Sequence, residues 1–348
     1  MDTVERWLAT RTFHHGQFAA VEELLRRKEE QGLTLSLCIP TLNEAATIGA
    51  LVTCLRSALG DRVPLLDEIA VIDSGSIDRT VELAAAAGAS VYRAADILPA
   101  TGSQRGKGEN LWKALYQLRG DIFVFLDADI ATIDPRFVTG LLGPLLRHPE
   151  IGYVKACYDR PFCRNEADGL LGGGRVTEIL VRPFLSLHFP ELAAFIQPLA
   201  GEYAARRVLL ETIPFPVGYG VEVAHLVDLH ARHGLGIFAQ TDLGERCHRH
   251  RSNAELGRMA YALLQVLERR LRARGGRPEP GAGGLLHQFV RHHGAFRRET
   301  AAIDEPERPP MQEVAAYRQR RQAIPSGHGS RPLTTATAVD RLFASVGH

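Results

Sequence analysis

Four short apolar runs in the first 126 residues each break off at a polar turn and hand over to a helical segment. Leu33 to Ile39 stops at Pro40, and Glu68 to Ile72 stops at Asp73-Ser74-Gly75-Ser76. Ala89 to Tyr92 is shorter, and Ile122 to Leu126 runs straight into Asp127-Ala128-Asp129. Helical segments are predicted from Asn43-Glu44 to about Leu59, from an Asp78 cap to Ala87, from Gly106 to Leu118, and onward from Pro135, a residue favoured at helix starts. This alternation predicts the α/β class, with a Rossmann-like, mostly parallel, doubly wound sheet. Ligands of such sheets bind beyond the carboxyl ends of the strands, which are the polar turns in this chain.

Composition removes several alternatives. Basic and acidic residues nearly cancel, 41 against 40, so no global field favours nucleic acid. The five cysteines are scattered without a paired spacing, which argues against a zinc site or a disulfide framework. The charged amino terminus does not read as a signal peptide, and no apolar run reaches membrane-spanning length. A reducing cytoplasm is the expected location, with no membrane partner.

The pattern changes after about Gly152. Residues 1–32 read as an amino-terminal helical segment, with the helix over 17–31. Residues 33–150 read as the nucleotide-binding α/β domain, and residues 151–300 as a helical acceptor-binding lobe without an obvious core of its own. In that lobe a strand is predicted at Tyr153 to Tyr158, then a glycine hinge at Gly172-Gly173-Gly174 and a helix from Val176 to Leu187 that Pro183 kinks. Helices follow at 222–233 and from Gly257 to Arg272, the latter apolar on one face and suited to packing or a dimer contact. Residues 301–348 read as a polar, partly mobile tail.

The turns carry the chemistry. Two carboxylates one residue apart at a strand end, Asp127 and Asp129, can hold a divalent cation, and a cation beside a diphosphate makes it a leaving group. Pro40-Thr41-Leu42-Asn43-Glu44 offers amides and a carboxylate to a nucleotide, or is simply a turn with Asn43 as helix cap. Asp73 and Ser74 offer an acceptor and a hydroxyl beside a glycine that permits close approach. Lys107 lies between glycines and can reach a phosphate, or is a solvated loop lysine. Arg175 and Thr177 stand at a predicted helix start where amides, a guanidinium and a hydroxyl suit a phosphate or carboxylate, or the segment is simply a flexible hinge before the helix. Alternation along a strand would point Arg246, His248 and His250 one way.

The order Pro-x-Leu-Asn-Glu, Asp-Ser-Gly-Ser, Asp-x-Asp in the first half resembles the GT-A, or nucleotide-diphospho-sugar transferase, fold. With Gly174-Arg175-Val176-Thr177, Gly218-Tyr219-Gly220-Val221-Glu222 and Arg246-x-His248-x-His250 added, roughly residues 10–300 resemble the glucosyl- and mannosyl-3-phosphoglycerate synthases of glycosyltransferase family 81. The resemblance implies a retaining transfer of a hexose, from UDP-glucose or GDP-mannose, to the 2-hydroxyl of 3-phosphoglycerate by a cytoplasmic homodimer that serves synthesis of glucosylglycerate or mannosylglycerate solutes, or of methylglucose polysaccharide. It implies donor contacts from Pro40, Thr41, Leu42, Asn43, Glu44, Ser74, Lys107, Asp127, Ala128 and Arg246, with Tyr219, Gly220, Val221 and Glu222 lining the sugar. It implies Mg²⁺ or Mn²⁺ on Asp129 and His248, and acceptor contacts from Gly174, Arg175, Val176, Thr177 and His250. It further implies that the backbone carbonyl of Leu199 steadies the reacting centre.

His250 replaces the Asn of the glucosyl enzymes' pattern; an imidazole still donates a hydrogen bond, with a new pH dependence. No motif places a carboxylate beneath the anomeric carbon, Glu222 being a sugar contact by resemblance, so attack on the donor's own face is expected. The competing expectations are a transferase of the same fold acting on a lipid phosphate or a polysaccharide, and a non-catalytic nucleotide-sugar sensor.

Overall fold

The computed structural model describes residues 3–130, 134–159, 174–246, 252–275, 285–292 and 295–323. The strands are β1 (Thr12–His14), β2 (Leu35–Thr41), β3 (Glu68–Asp73), β4 (Ser90–Arg93), β5 (Ile122–Phe125), β6 (Tyr153–Asp159), β7 (Tyr203–Arg206), β8 (Phe215–Pro216) and β9 (Phe238–Glu245). All but β8 form one sheet in the order β1-β9-β6-β7-β5-β2-β3-β4. The pairings are parallel except that β7 runs antiparallel to both β5 and β6.

The four expected strands are therefore present, but the sheet does not end with them. Strands from before residue 33 and after residue 150 join the same sheet as the nucleotide-binding segment. From β2 the chain order runs outward to β3 and β4 on one side and jumps to β5 on the other. The carboxyl ends of β2 and β5 thus flank a topological switch point, where an open α/β sheet leaves a crevice.

Period-two alternation divides the core between the two faces. Phe123 and Phe125 of β5 pack on one side with Trp112, Tyr153 and Tyr203. Ile122, Val124 and Leu126 pack on the other with Leu35, Leu37, Ile39, Val71 and Phe137. Helices cover both faces, so the strands read as continuous apolar runs, as expected of a sheet buried on both sides.

Two predicted helices differ in detail. The helix after β2 begins at Ile48 rather than Asn43, because Asn43 is left-handed (φ 58°) and cannot enter a helix. The helix around Pro183 is wide-turned over Thr177–Val181 and becomes α-helical at Arg182–His188. Proline offers no backbone N–H, and a widened turn before it is how the chain absorbs that loss. The other helices fall near expectation: Val21–Gln31, Thr80–Ala86, Lys107–Gln117, Arg136–Arg147, Val221–His233 and Asn253–Gly275.

Part of the polar tail is built into the fold. Glu307 and Arg308 form a short antiparallel strand, β12, against β8; two further strands, β10 (Leu285–His292) and β11 (Ala295–Ala302), pair with each other before it. Met311 and Tyr317 are buried. The Tyr317 hydroxyl accepts from Arg207, whose guanidinium also donates to the carbonyls of Gly120, Leu115 and Leu118 at 2.7–2.8 Å. The tail beyond residue 323 lies outside the described residues.

Candidate active site

The turns after β2 and β3 are laced to each other. Asp73 accepts from Thr41 Oγ1 at 3.1 Å and from the amides of Gly75 and Ser76 at 2.9 Å each. Its oxygens thus shape the turn rather than standing open to a ligand. The Asn43 amide donates to Ser76 Oγ, and the Ile77 amide donates to Asn43 Oδ1, both at 2.9 Å. Asn43 is accordingly a cross-loop brace and not the helix cap of the simpler expectation. Ser74 donates to Asn110 Oδ1 at 2.8 Å, while Asn110 donates to the Ile72 carbonyl. Thr47 Oγ1 reaches the Ala128 carbonyl at 2.6 Å, tying the first turn to the Asp127-Ala128-Asp129 turn. Between these braces Leu42 stays exposed and Pro40 and Glu44 are half-buried, leaving one wall of the crevice preformed.

Lys107 is no solvated loop lysine. It opens the helix Lys107–Gln117, and its ammonium lies 2.5 Å from Asp127 Oδ1 and 2.8 Å from Glu222 Oε1. Burial by itself would lower its pKa, but Asp127, Glu222 and Glu202 together hold it above the ordinary lysine value. Two glycines make the meeting possible. A Cβ on Gly201 would lie 2.2 Å from Asp127 Oδ2 and 2.4 Å from Lys107 Nζ, and one on Gly108 would lie 1.8 Å from the Pro216 carbonyl oxygen.

Arg246, the first residue after β9, supplies the second cation. Its guanidinium is 2.7 Å from Asp129 Oδ1, 3.4 Å from Asp127 Oδ2 and 2.8 Å from Glu202 Oε1. Tyr158 closes this cluster, accepting from Arg246 at 2.9 Å and donating to Glu202 Oε2 at 2.7 Å. Burial raises the pKa of Glu202, an effect that Arg246 opposes. Burial pulls the guanidinium of Arg246 down, but Glu202, Tyr158, Asp127 and Asp129 carry it well above its ordinary value.

Among the described residues, the four carboxylates of Asp127, Asp129, Glu202 and Glu222 are paired with two cations, Lys107 and Arg246, so formal negative charge exceeds the positive charge paired with it. The oxygens of Asp127 and Asp129 already converge on one cationic position. Hard oxygen donors in negative excess fit a divalent cation. Among the described residues no group of three His, Cys, Asp or Glu side chains is gathered as a complete metal site. His248, and with it His250, lies outside the described residues.

The remaining predicted residues fall around this cluster. Gly220 is the residue before the helix Val221–His233, where Glu222 is buried in the first turn and Tyr219 is half exposed. Leu199, half-buried, sits in a turn closed by the Ala200 amide on the Gln197 carbonyl, just ahead of Gly201. Gly174 has φ 86° and leads into the helical segment carrying Arg175, Val176 and Thr177. Arg175 Nη1 donates to Asn253 Oδ1 at 2.7 Å, and Thr177 is buried.

Three functional candidates are not among those the sequence reading named. Glu202 lies beside Gly201 in a segment that alternation alone gives no role. Lys155 is fully buried in mid-strand on β6, its ammonium 4.9 Å above the Tyr203 ring and without a hydrogen-bond partner among the described residues. Burial, reinforced by Lys107 and opposed by Glu222, Glu202 and Asp127, lowers its pKa to about 7. Glu305 comes from the tail. Only the buried charge of Lys155, unusual in the middle of an apolar strand, could have been noticed beforehand.

Comparison with known proteins places this geometry. Residues 36–184 match the model of glycosyl transferase family 2. The glucosyl-3-phosphoglycerate synthase of Petrotoga mobilis is 47% identical over 317 residues, covering 89% of this chain and 96% of that protein. The chain belongs to the glucosyl-3-phosphoglycerate synthase family. It is a hexosyltransferase with the GT-A fold. Among solved structures, the mannosyl-3-phosphoglycerate synthase of Rubrobacter xylanophilus is 40% identical with a TM-score of 0.82, covering 89% of this chain and 99% of that one. The glucosyl-3-phosphoglycerate synthase of Mycobacterium tuberculosis, solved with Mn²⁺, UDP and phosphoglyceric acid, is 40% identical with a TM-score of 0.77, covering 88% and 99%. Among the described residues no helix is long and apolar enough to cross a membrane.

Proposed function

We propose that this protein transfers glucose from UDP-glucose to the 2-hydroxyl of 3-phosphoglycerate with retention at the anomeric carbon. The observation that carries the reading is the charge cluster at the sheet's switch point, where Lys107 bridges Asp127 and Glu222 and Arg246 bridges Asp129 and Glu202. The mycobacterial relative, also solved with Mn²⁺, UDP-glucose and phosphoglyceric acid and with Mg²⁺ and UDP, supports the choice of donor, acceptor and ion.

Asp129 and His248 would hold Mn²⁺ or Mg²⁺. When bound, the ion takes up charge that develops on the departing diphosphate. The chain's own groups do the rest. The braced turns of residues 40–44 and 73–76 seat the nucleoside. Lys107 steers a donor oxygen while keeping Asp127 and Glu222 apart, and Glu222 accepts from a sugar hydroxyl. Arg175, with the hydroxyl and amides at the helix start around Thr177, answers an acceptor carrying about three negative charges. Glu222 is committed to Lys107 at 2.8 Å and makes a poor nucleophile, which favours attack on the donor's own face, the acceptor proton passing to the departing phosphate oxygen. The Leu199 carbonyl steadies the oxocarbenium-like centre.

A broader donor range has its own support, since the Rubrobacter structure is of a mannosyl enzyme. UDP-glucose, GDP-glucose and GDP-mannose assayed with 3-phosphoglycerate and Mn²⁺ test both readings, with proton NMR reporting the product's anomeric configuration. Acceptor-dependent release of UDP and an α-linked product are expected. A β-linked product, or donor turnover indifferent to 3-phosphoglycerate, would refute the proposal.

A further inference from the structure

The tail segment 303–309 returns across the face of the molecule and is held at several points. Gln265 and Arg269 of the long helix donate to the carbonyls of Ile303 and Glu305 at 2.8 Å each. The Val217 amide donates to the Pro306 carbonyl at 2.9 Å, and Arg308 makes a two-pronged pair with buried Glu109 at 2.7 and 2.8 Å. So seated, the segment places one carboxylate under the Gly218-Tyr219-Gly220 turn. Glu305 Oε1 accepts from the Gly218 amide at 2.8 Å and from the Gly220 amide at 3.3 Å. The turn is fitted to that carboxylate: a Cβ on Gly218 would lie 2.6 Å from Glu305 Oε2, and one on Gly220 would lie 2.4 Å from Val266.

We propose that Glu305 is a positioning residue for the donor sugar, fixing from the tail the turn that presents Tyr219 and Glu222. This rests on the reading of Tyr219 to Glu222 as the sugar-facing wall. The physical basis is direct. The two amides stand just before and at the entry of the helix Val221–His233, where N–H groups have no intrahelical acceptor. A carboxylate there gains both the hydrogen bonds and the favourable end of the helix dipole. Burial raises the Glu305 pKa, and the two amide bonds oppose that rise, so these bonds favour its charged form. Without them the turn loses its anchorage on Glu305, and Glu222 would leave its register with Lys107. The nucleoside-binding turns on the other wall are braced independently of the tail, so nucleotide affinity should not follow.

The test is titration of UDP and UDP-glucose, each with Mn²⁺, into the parent and the variants Glu305→Ala, Glu305→Gln and Glu222→Gln, with steady-state kinetics alongside. Glu305→Ala is expected to weaken UDP-glucose about fivefold or more and to leave UDP within about twofold. Its KM for UDP-glucose rises while that for 3-phosphoglycerate holds. Glu305→Gln keeps one accepting oxygen and should fall between parent and Ala. Equal weakening of UDP and UDP-glucose, or parent-like binding of both in Glu305→Ala, would overturn the inference. Should the Ala variant not fold, a Gln variant that binds UDP-glucose like the parent would overturn it equally. If Glu222→Gln also fails to separate the two ligands, the sugar-wall reading has failed and takes the inference with it; if Glu222→Gln separates them and Glu305→Ala does not, only the role of Glu305 is lost.

Discussion

Lys155 makes a prediction whose size follows from its surroundings. Its ammonium is fully buried, has no hydrogen-bond partner among the described residues, and has its pKa lowered by burial to about 7 from an ordinary 10.5. Between those values the unfolded chain holds a proton on this residue that the native chain has released. Stability must therefore rise with pH over that window, by about 1.4 kcal/mol per pH unit for this one group. Across the full window the effect is about 5 kcal/mol, comparable with the net stability of many domains. Below pH 7 both states are protonated, and the native state bears the whole cost of burying the charge.

The perturbation is Lys155→Met, which keeps the length of the side chain and removes the amine. Urea denaturation of parent and variant should be run in parallel at half-unit steps from pH 6 to 9.5, without donor, acceptor or divalent ion. Other ionisable groups titrate in both proteins, so their contributions cancel in the difference as long as they do not couple to Lys155. The variant should be the more stable at pH 6, and its advantage should stay level to about pH 7. It should then shrink by about 3 kcal/mol between pH 7 and pH 9. The offset between the two proteins is not diagnostic, since Met and Lys also differ in packing. The slope is diagnostic. A difference that stays flat across the range would mean that the native amine keeps its proton, with Glu222, Glu202 and Asp127 outweighing burial, and would refute a lowered pKa for Lys155.

Three further outcomes are expected. Asp129→Ala should remove the enhancement of UDP binding by Mn²⁺, measured by calorimetry, while metal-free UDP binding stays near the parent's; persistence of the Mn²⁺ effect would take Asp129 out of the ion's coordination. Arg175→Ala should raise the KM for 3-phosphoglycerate about tenfold or more and the KM for the donor little, and equal rises would argue against an acceptor role. Glu202→Gln leaves the buried Arg246 with one fewer counter-charge and should cost about 3 kcal/mol in urea denaturation; a cost near zero would show that Asp129 and Tyr158 suffice to hold the guanidinium.

What the sequence disclosed, and what it hid, divide along a physical line. Strands buried on both faces announce themselves as apolar runs, so β2, β3 and β5 were legible, and so were the turns at their carboxyl ends. Lys107, Asp127 and Asp129 were legible as candidates because lysines and carboxylates stand out at strand ends. What was hidden depends on register between distant segments. β7 is four residues long and antiparallel, and nothing in Tyr203 to Arg206 says that it lies between β5 and β6. That placement is what delivers Glu202 to Arg246, so the partner that anchors the second cation could not be found before the pairing was known.

The same logic explains why the tail's ties to the fold were not legible and why the site depends on them. A segment such as Glu305-Pro306-Glu307-Arg308-Pro309-Pro310 is polar and proline-rich, the composition of a chain with little of its own to bury. It is ordered by what it meets. Arg308 finds Glu109, a carboxylate that is fully buried on the helix opened by Lys107, and stacks over Trp112 at 5.1 Å. Glu307 joins Arg270, which also holds Asp228 of the helix Val221–His233 at 2.7 Å. These pairs bind the tail to the two helices whose first turns carry Lys107 and Glu222, the residues that meet at 2.8 Å in the site. A buried carboxylate such as Glu109 is expensive unless paired, so the tail cannot leave without exposing a cost elsewhere. The distance between Lys107 and Glu222 is thus held from outside the crevice, by charges that make no contact with either residue.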